Sequence, residues 1–141
     1  MTKRVLSVDF GKKNVGLAIG NTITKLASPL LSIENKSFDY LSSEILKIID
    51  EWGIDILLFG LPLNMEKKHL SNPITKDLFD FIDFFKARNP KIVIELFDER
   101  LSTFEAKKIL EDSKVGYHEL MKKKDSVSAQ IILDRWLNKD E

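Results

Sequence analysis

Four acidic residues stand where secondary-structure elements are expected to end or begin. Asp9 ends one strand-like stretch, and Asp98 and Glu99 end another. Asp125 precedes an apolar pattern with helical spacing. Carboxylates gathered at one place repel one another unless a cation lies among them. Mg²⁺ and Mn²⁺ are hard cations that prefer such oxygen ligands. These residue types therefore predict a divalent-metal site, provided that the fold brings the acids together.

The chemistry predicted for such a site is phosphodiester hydrolysis. Two divalent ions about 3.5 to 4 Å apart can activate a water on one side of a phosphodiester and stabilise the leaving oxygen on the other. This arrangement needs no thiol nucleophile, and the chain has no cysteine. Because successive side chains of a strand alternate between its faces, only one of Asp98 and Glu99 is expected to face Asp9. Both remain candidates.

Each acid also has a purely structural interpretation. Asp9 could be a turn residue that accepts hydrogen bonds from the amides of the GKKN turn after it. Asp125 could be the N-cap of the last helix. Asp98 and Glu99 could form a solvated strand end in which an acid pairs with Arg100. The occurrence of acids at three such places, each at the end or start of an element in a short chain, favours the catalytic interpretation.

Basic residues lie next to the same acids along the chain. They are Lys12, Lys13, Arg100 and the lysines at 122–124, which include Lys124. A basic rim around a metal-loaded centre would attract a phosphate backbone, although lysines in loops often only face solvent. The 22 Lys and Arg residues balance 22 Asp and Glu residues. The zero net charge lowers the expectation of a nucleic-acid partner without removing it, because the distribution of charge matters more than its sum.

The hydrophobic pattern predicts the elements that must position these residues. Strands are predicted at 4–10, 15–20, 23–33, 54–60 and 91–100. Helices are predicted at 37–52, around the apolar stripe of residues 78–85, after the capping pattern at 102–105, and from about Asp125 to Leu137.

This order predicts an α/β fold with a mixed five-stranded sheet. The first three strands should form an antiparallel meander, and the two later strands, which alternate with helices, should be parallel, with helices on both faces. If the first and last strands are adjacent, Asp9 and Asp98 or Glu99 share an edge. The 141 residues fit a single domain, residues 1–141. The sequence has neither a signal-peptide pattern nor an apolar run long enough to cross a bilayer, so a cytoplasmic protein without a membrane partner is expected.

Four motifs resemble the signature blocks of the YqgF or RuvX family of ribonuclease H-like nucleases. They are VDFGKKNVGLAIG, LLFGLPLN, LFDERLST and KKKDSVSAQIIL, in the family order, and the resemblance extends from Arg4 to about Leu137. It implies a ribonuclease H-like fold and a metal-dependent nuclease that matures the 5′ end of 16S ribosomal RNA. The implied partners are precursor rRNA and ribosomal precursor particles. Members were earlier considered Holliday-junction resolvases.

The resemblance also implies roles for individual residues. Asp9 is similar to the first-strand catalytic aspartate, Glu99 or Asp98 to the acid of the third block, and Asp125 to the acid of the last helix. Asp9, Glu99 and Asp125 are thus the expected Mg²⁺ or Mn²⁺ ligands. Residues expected near substrate phosphate are Lys12, Lys13, Asn64, Arg100, Thr103 and Lys124. One departure is that GLPLNM is followed by EKKHL, where family members commonly have a glycine.

Three other functions compete with precursor rRNA cleavage. The same chemistry could act on branched DNA, because phosphate contacts carry no information about base or sugar. A non-catalytic nucleic-acid-binding domain could use the same fold. The DFGKKNVG stretch also fits the phosphate-binding hairpin of an actin-type or sugar-kinase-type ATP-binding module, but those proteins need more than twice this length. The sequence leaves a monomer and a homodimer equally open.

Overall fold

The computed structural model describes residues 2–61, 73–98 and 117–139, and the side chains of 2–61, 74–97 and 126–139. Five strands and three helices lie in this part of the chain. In chain order they are β1 Arg4–Asp9, β2 Asn14–Asn21, β3 Ala27–Glu34, α1 Phe38–Trp52, β4 Ile56–Leu61, α2 Pro73–Arg88, β5 Val93–Asp98 and α3 Tyr117–Leu137. The short helix predicted after residues 102–105 falls outside the described residues.

The strands form one mixed sheet with the order β3-β2-β1-β4-β5. The first three strands are antiparallel neighbours, whereas β1, β4 and β5 run parallel to one another. The predicted α/β class and the pattern of three meander strands plus two parallel strands are confirmed. The carboxyl ends of β1, β4 and β5 therefore meet at one edge of the sheet, the edge where ligands of open α/β sheets usually bind.

The first and last strands are not adjacent, so the condition on which Asp9 would lie directly beside Asp98 or Glu99 is not met. The strand β4 lies between β1 and β5 and pairs with both. Two inter-strand spacings of roughly 4.8 Å separate β1 from β5, so their backbones lie about 10 Å apart. The hydrophobic pattern shows that β4 is buried on both faces, but it does not show which strands flank it.

Helices cover both faces of the sheet. Side chains of α1 and α2 form the larger core with one face, around Leu57, Phe59 and Phe81. Residues of α3 form a smaller core with the other face, where Ile132 and Leu133 pack with Val5 of β1 and other residues. Since successive residues of a strand alternate between these two cores, the face on which any strand residue lies is known from its neighbours.

Local signals explain where α1 begins and ends. The Ser37 side chain accepts a hydrogen bond from the Tyr40 amide at 3.1 Å, as an N-cap does. At the other end Gly53 has φ 62° and ψ 48°, the left-handed conformation that glycine adopts at little cost, and its amide binds the Ile49 carbonyl. The prediction for 37–52 is confirmed.

Two further boundaries differ from the predictions. The strand β3 continues through Pro29, which was expected to break or end it, with a register shift opposite Leu17 and Ala18. Proline is tolerated there because β3 is an edge strand. The helix α3 begins at Tyr117, eight residues before Asp125. None of the helices in the described ranges is both long and apolar enough to cross a membrane.

Candidate active site

Asp9 is the last residue of β1, the central strand of the sheet. It shares a strand face with Val5 and Ser7, and Val5 packs in the core beneath α3. Asp9 therefore lies on the face that α3 covers. Ser7 is fully buried, whereas Asp9 is only partly buried. A carboxylate at this point remains accessible to solvent and to a cation while its backbone is held in a sheet ladder.

Glycine occupies the positions beside Asp9 on both neighbouring strands. Asp9 pairs with Gly16 of β2. Val8 pairs with Phe59 of β4, so Gly60 comes next in register and lies beside Asp9. Neither strand therefore places a side chain next to the Asp9 carboxylate on this face. Such a gap fits a hydrated divalent ion, since Mg²⁺ commonly keeps several waters and binds only one or two carboxylates.

The turn after β1 has a tightly constrained backbone. A Cβ atom at Gly11 would overlap the backbone oxygen of Asn14, so a larger residue does not fit there without a shift of the turn. Lys12 and Lys13 occupy the turn itself and are both exposed. As predicted, the turn carries two ammonium groups at the edge of the sheet where β1 ends with Asp9.

The contact of α3 with the neighbouring strands β1 and β2 changes character along its length. At the far end from Asp9, the apolar side chains of Leu133 and Leu137 pack closely on Gly20, at 3.2 and 3.1 Å from where its Cβ would be. Towards Asp9 the interface contains two fully buried serines, Ser7 on β1 and Ser128 on α3. Their hydroxyl groups have no hydrogen-bond partner among the described residues. The interface is thus apolar at one end and polar at the end nearer to Asp9.

Asp98 does not lie on the same face as Asp9. It ends β5 and pairs with Leu61, whose side chain packs in the core of α1 and α2. Its position is therefore on the opposite face of the sheet. The preceding residue, Phe97, packs with the α3 core and shares a face with Asp9. Strand alternation thus argues against Asp98 as the direct partner of Asp9.

Asp125 lies inside α3, in its third turn, and not at its beginning. The alternative interpretation of Asp125 as an N-cap is therefore wrong, and so is the prediction that the last helix begins there. Residues 117–124 extend the helix because they contain helix formers such as Glu, Leu, Met and Lys and no proline or glycine. Lys124 lies beside Asp125 in the same helix.

The other predicted site residues lie outside the described part of the chain. They are Asn64, Glu99, Arg100 and Thr103. Among residues with described side chains, no group of three acidic or histidine side chains lies close enough together to hold a metal ion. Of the four predicted acids, only Asp9 has a described side chain.

Sequence reasoning missed two residues that shape this region. Gly60 ends an apolar run and looks like an ordinary strand terminus, so its place beside Asp9 requires the register of β4. Asn35 follows β3 and looks like a turn residue. Its side chain in fact donates a hydrogen bond to the Gly11 carbonyl oxygen at 2.8 Å. Nothing in the local sequence indicates that contact, because 24 residues separate the two.

The fold is that of known junction resolvases. The chain resembles T. thermophilus RuvC in complex with a Holliday junction substrate, with a TM-score of 0.61 and 10% identity over 97% of this chain and 95% of that one. It also resembles the fowlpox virus resolvase in a complex with Holliday junction DNA, with a TM-score of 0.56 and 12% identity over 96% and 97% of the two chains. At these identities the likeness shows the fold alone, which is ribonuclease H-like.

Sequence comparison identifies the family within this fold. The model of the family described as RuvX, Holliday junction resolvase, matches residues 3–139. A protein of Buchnera aphidicola, named as a proposed pre-16S rRNA nuclease, is 42% identical over 134 residues, which cover 94% of each chain. A protein of Photobacterium profundum with the same name is 40% identical over 139 residues, covering 98% of this chain and 96% of that one. The chain belongs to the RuvX family.

Proposed function

We propose that the chain is a divalent-metal-dependent endonuclease that hydrolyses phosphodiester bonds in precursor 16S rRNA, at the 5′ end of the mature sequence. The observation that carries the proposal is the position of Asp9, a partly buried carboxylate at the end of the central strand with glycine on both sides. The names of the relatives support the substrate. Such a nuclease would act in the cytoplasm as one domain, residues 1–141.

Glu99 is the better candidate for the second metal ligand. Phe97 is on the Asp9 face and Asp98 is on the other, so a strand that continued with the same alternation would return residue 99 to the Asp9 face. Glu99 lies outside the described residues, and its role stays a proposal. The separation of about 10 Å between β1 and β5 also favours the longer side chain of glutamate over that of aspartate.

Asp125 is the candidate for the third ligand because its level along the sheet matches that of Asp9. Leu133 packs on Gly20, which pairs with Val5. Asp125 precedes Leu133 by eight helical residues, a rise of about 12 Å. Asp9 follows Val5 by four strand residues, a distance of about 13 Å. These distances support the assignment if α3 runs antiparallel to β1. Two hydrogen bonds support that direction: Asn138 binds the Lys25 carbonyl oxygen, before β3 begins, whereas Gln130, one helix segment earlier, binds the carbonyl oxygen of Ala27, the first residue of β3.

The protein residues would divide the work of the reaction. Bound Mg²⁺ or Mn²⁺ would supply an activated water and stabilise the leaving oxygen. Asp9, Glu99 and Asp125 would hold the ions. Lys12 and Lys13 would attract the nucleic-acid backbone, because exposed ammonium groups bind phosphate without reading sequence.

The change of Asp9 to Asn tests this function. Asparagine keeps the size of the side chain but removes its charge, so we expect RNA cleavage to fall at least 100-fold in Mg²⁺ or Mn²⁺, equivalent to about 3 kcal/mol of transition-state stabilisation. The fold should survive, because Asp9 is partly exposed. The measurement is cleavage of an RNA fragment that spans the mature 5′ end of 16S rRNA, together with circular dichroism.

Asp50→Asn is the matched control. Asp50 is exposed on α1, across the sheet from Asp9, so the same loss of charge should leave cleavage unchanged. An Asp9→Asn protein that cleaves at the wild-type rate would disprove the site. Failure of the wild-type protein to cleave any RNA or DNA substrate in Mg²⁺ and Mn²⁺ would favour a non-catalytic nucleic-acid-binding domain.

Branched DNA is the second candidate substrate. The description of the family and the substrates in the two resolvase complexes favour it. Cleavage of the precursor RNA fragment and of a four-way DNA junction should be compared at equal concentration and salt. A higher kcat/KM on the junction would show that the same active site prefers branched DNA to precursor RNA.

A further inference from the structure

Asn35, the residue after β3, holds the turn that follows Asp9 at two points. Its side-chain amide donates a hydrogen bond from Nδ2 to the Gly11 carbonyl oxygen at 2.8 Å. Its backbone amide donates to the Lys13 carbonyl oxygen, also at 2.8 Å. Asn35 itself is partly buried. Asn35 thus binds the turn on both sides of Lys12.

These two bonds restrict what the turn can do. Gly11 lies against Asn14 with no room for a Cβ, and the two carbonyl oxygens are occupied by Asn35. A carbonyl oxygen carries partial negative charge and would repel an approaching phosphate. With both oxygens bound to Asn35, the exposed ammonium groups of Lys12 and Lys13 are the charged groups that the turn offers to solvent.

We propose that Asn35 is a positioning residue that holds the Gly11–Lys13 turn in place, so that Lys12 and Lys13 bind a phosphodiester backbone beside Asp9. The inference rests on the proposed function, since it assumes a nucleic-acid substrate at this edge of the sheet. Asn35 touches neither substrate nor metal in this scheme. Its effect on binding passes entirely through the two lysines.

Asn35→Ala is the variant that tests the role. It removes the Nδ2 donor but keeps the backbone amide that binds the Lys13 carbonyl. The Kd for a labelled RNA fragment spanning the 5′ end of 16S rRNA is measured in EDTA, where metal-dependent cleavage does not occur. We expect the Kd to rise about fivefold, the equivalent of the net contribution of one hydrogen bond. Once substrate is bound, kcat in Mg²⁺ should change by less than twofold.

Asn89→Ala is the matched control for loss of stability. Asn89 is also partly buried, and its Nδ2 donates to the Phe85 carbonyl oxygen at 3.0 Å, at the end of α2. The two variants lose the same kind of bond and should lower the melting temperature by a similar amount. Only Asn35→Ala should weaken RNA binding.

A double-mutant cycle separates positioning from a general structural effect. In a protein that already carries Lys12→Ala and Lys13→Ala, adding Asn35→Ala should change the Kd by less than twofold, because the groups that Asn35 positions are gone. A further fivefold loss in that background would overturn the proposal. So would an Asn35→Ala protein that binds RNA with the wild-type Kd while the double lysine variant binds weakly.

The outcomes distinguish this inference from the proposed function. If the wild-type protein bound RNA no more tightly than the double lysine variant, the turn would have no role in phosphate binding and the inference would be refuted, whereas cleavage by wild type and not by Asp9→Asn would still support the nuclease. Conversely, the expected Kd values with no cleavage in any metal would refute the nuclease and uphold the role of Asn35.

Discussion

Replacing Gly11 with alanine should damage both stability and substrate binding. The new Cβ would overlap the backbone oxygen of Asn14. That oxygen belongs to the first residue of β2, which pairs with Glu34 of β3, so it cannot move aside as a flexible side chain would. Forced overlap of this kind lowers the free energy of unfolding by about 1 to 3 kcal/mol. We expect about 2 kcal/mol here, because the overlapped atom belongs to the backbone.

The expected loss of stability translates into a measurable shift. For a chain of this size each kcal/mol lowers the melting temperature by about 3 to 5 °C, so Gly11→Ala should melt roughly 6 to 10 °C below wild type. Because the turn must shift to relieve the overlap, Lys12 and Lys13 shift with it. We expect the KM for RNA to rise several-fold, with a smaller change in kcat.

Gly53→Ala is the appropriate control. Gly53 has φ 62°, so alanine there is strained, but its Cβ would lie at an ordinary contact distance of 3.7 Å from Arg4 Nη1. The cost of about 1 kcal/mol comes from the left-handed conformation alone. Gly53 follows α1, away from the turn, so KM should not change. A Gly11→Ala protein with wild-type melting temperature and KM would refute the reasoning, as would an equal rise of KM in both variants.

Two more predictions concern the core and the electrostatics. Phe81 is fully buried, and its ring centroid lies 5.7 Å from that of Phe10 and 5.4 Å from that of Phe38. Phe81→Ala should lower the free energy of unfolding by about 3 to 5 kcal/mol in urea titrations; a loss below 1 kcal/mol would contradict this packing. Changing Lys12 and Lys13 to alanine should reduce the slope of log Kd against log salt by about 1.4 for single-stranded RNA, and an unchanged slope would exclude phosphate contacts.

The sequence predicts the elements of this fold better than their arrangement. Period-two and helical patterns identify the described strands and helices because burial on one face is a local property of the chain. Strand order is not local. The run at 54–60 indicates burial on both faces, and only the folded sheet shows that β4 separates β1 from β5. The start of α3 was missed because residues 117–124 lack the apolar stripe that begins further along the helix.

For the site, sequence alone predicts the residue types and the position of Asp9 at the end of a strand. Asp98 could not be separated from Glu99 by sequence because the choice depends on which face Phe97 takes in the folded sheet. The contribution of Gly60 depends on register, and that of Asn35 on a contact between residues distant in the chain. A single sequence does not show the register of neighbouring strands, the sheet face of a given residue, or the contacts between residues distant in the chain.

Pro29 has a consequence for self-association. The strand β3 is at the edge of the sheet, where an exposed ladder of amides and carbonyls could pair with a strand of another molecule. Pro29 has no N–H to donate, and the register of β3 shifts next to it. An incoming strand would therefore find an interrupted ladder along β3. The register shift and the missing N–H together reduce the risk that concentrated protein aggregates through this edge.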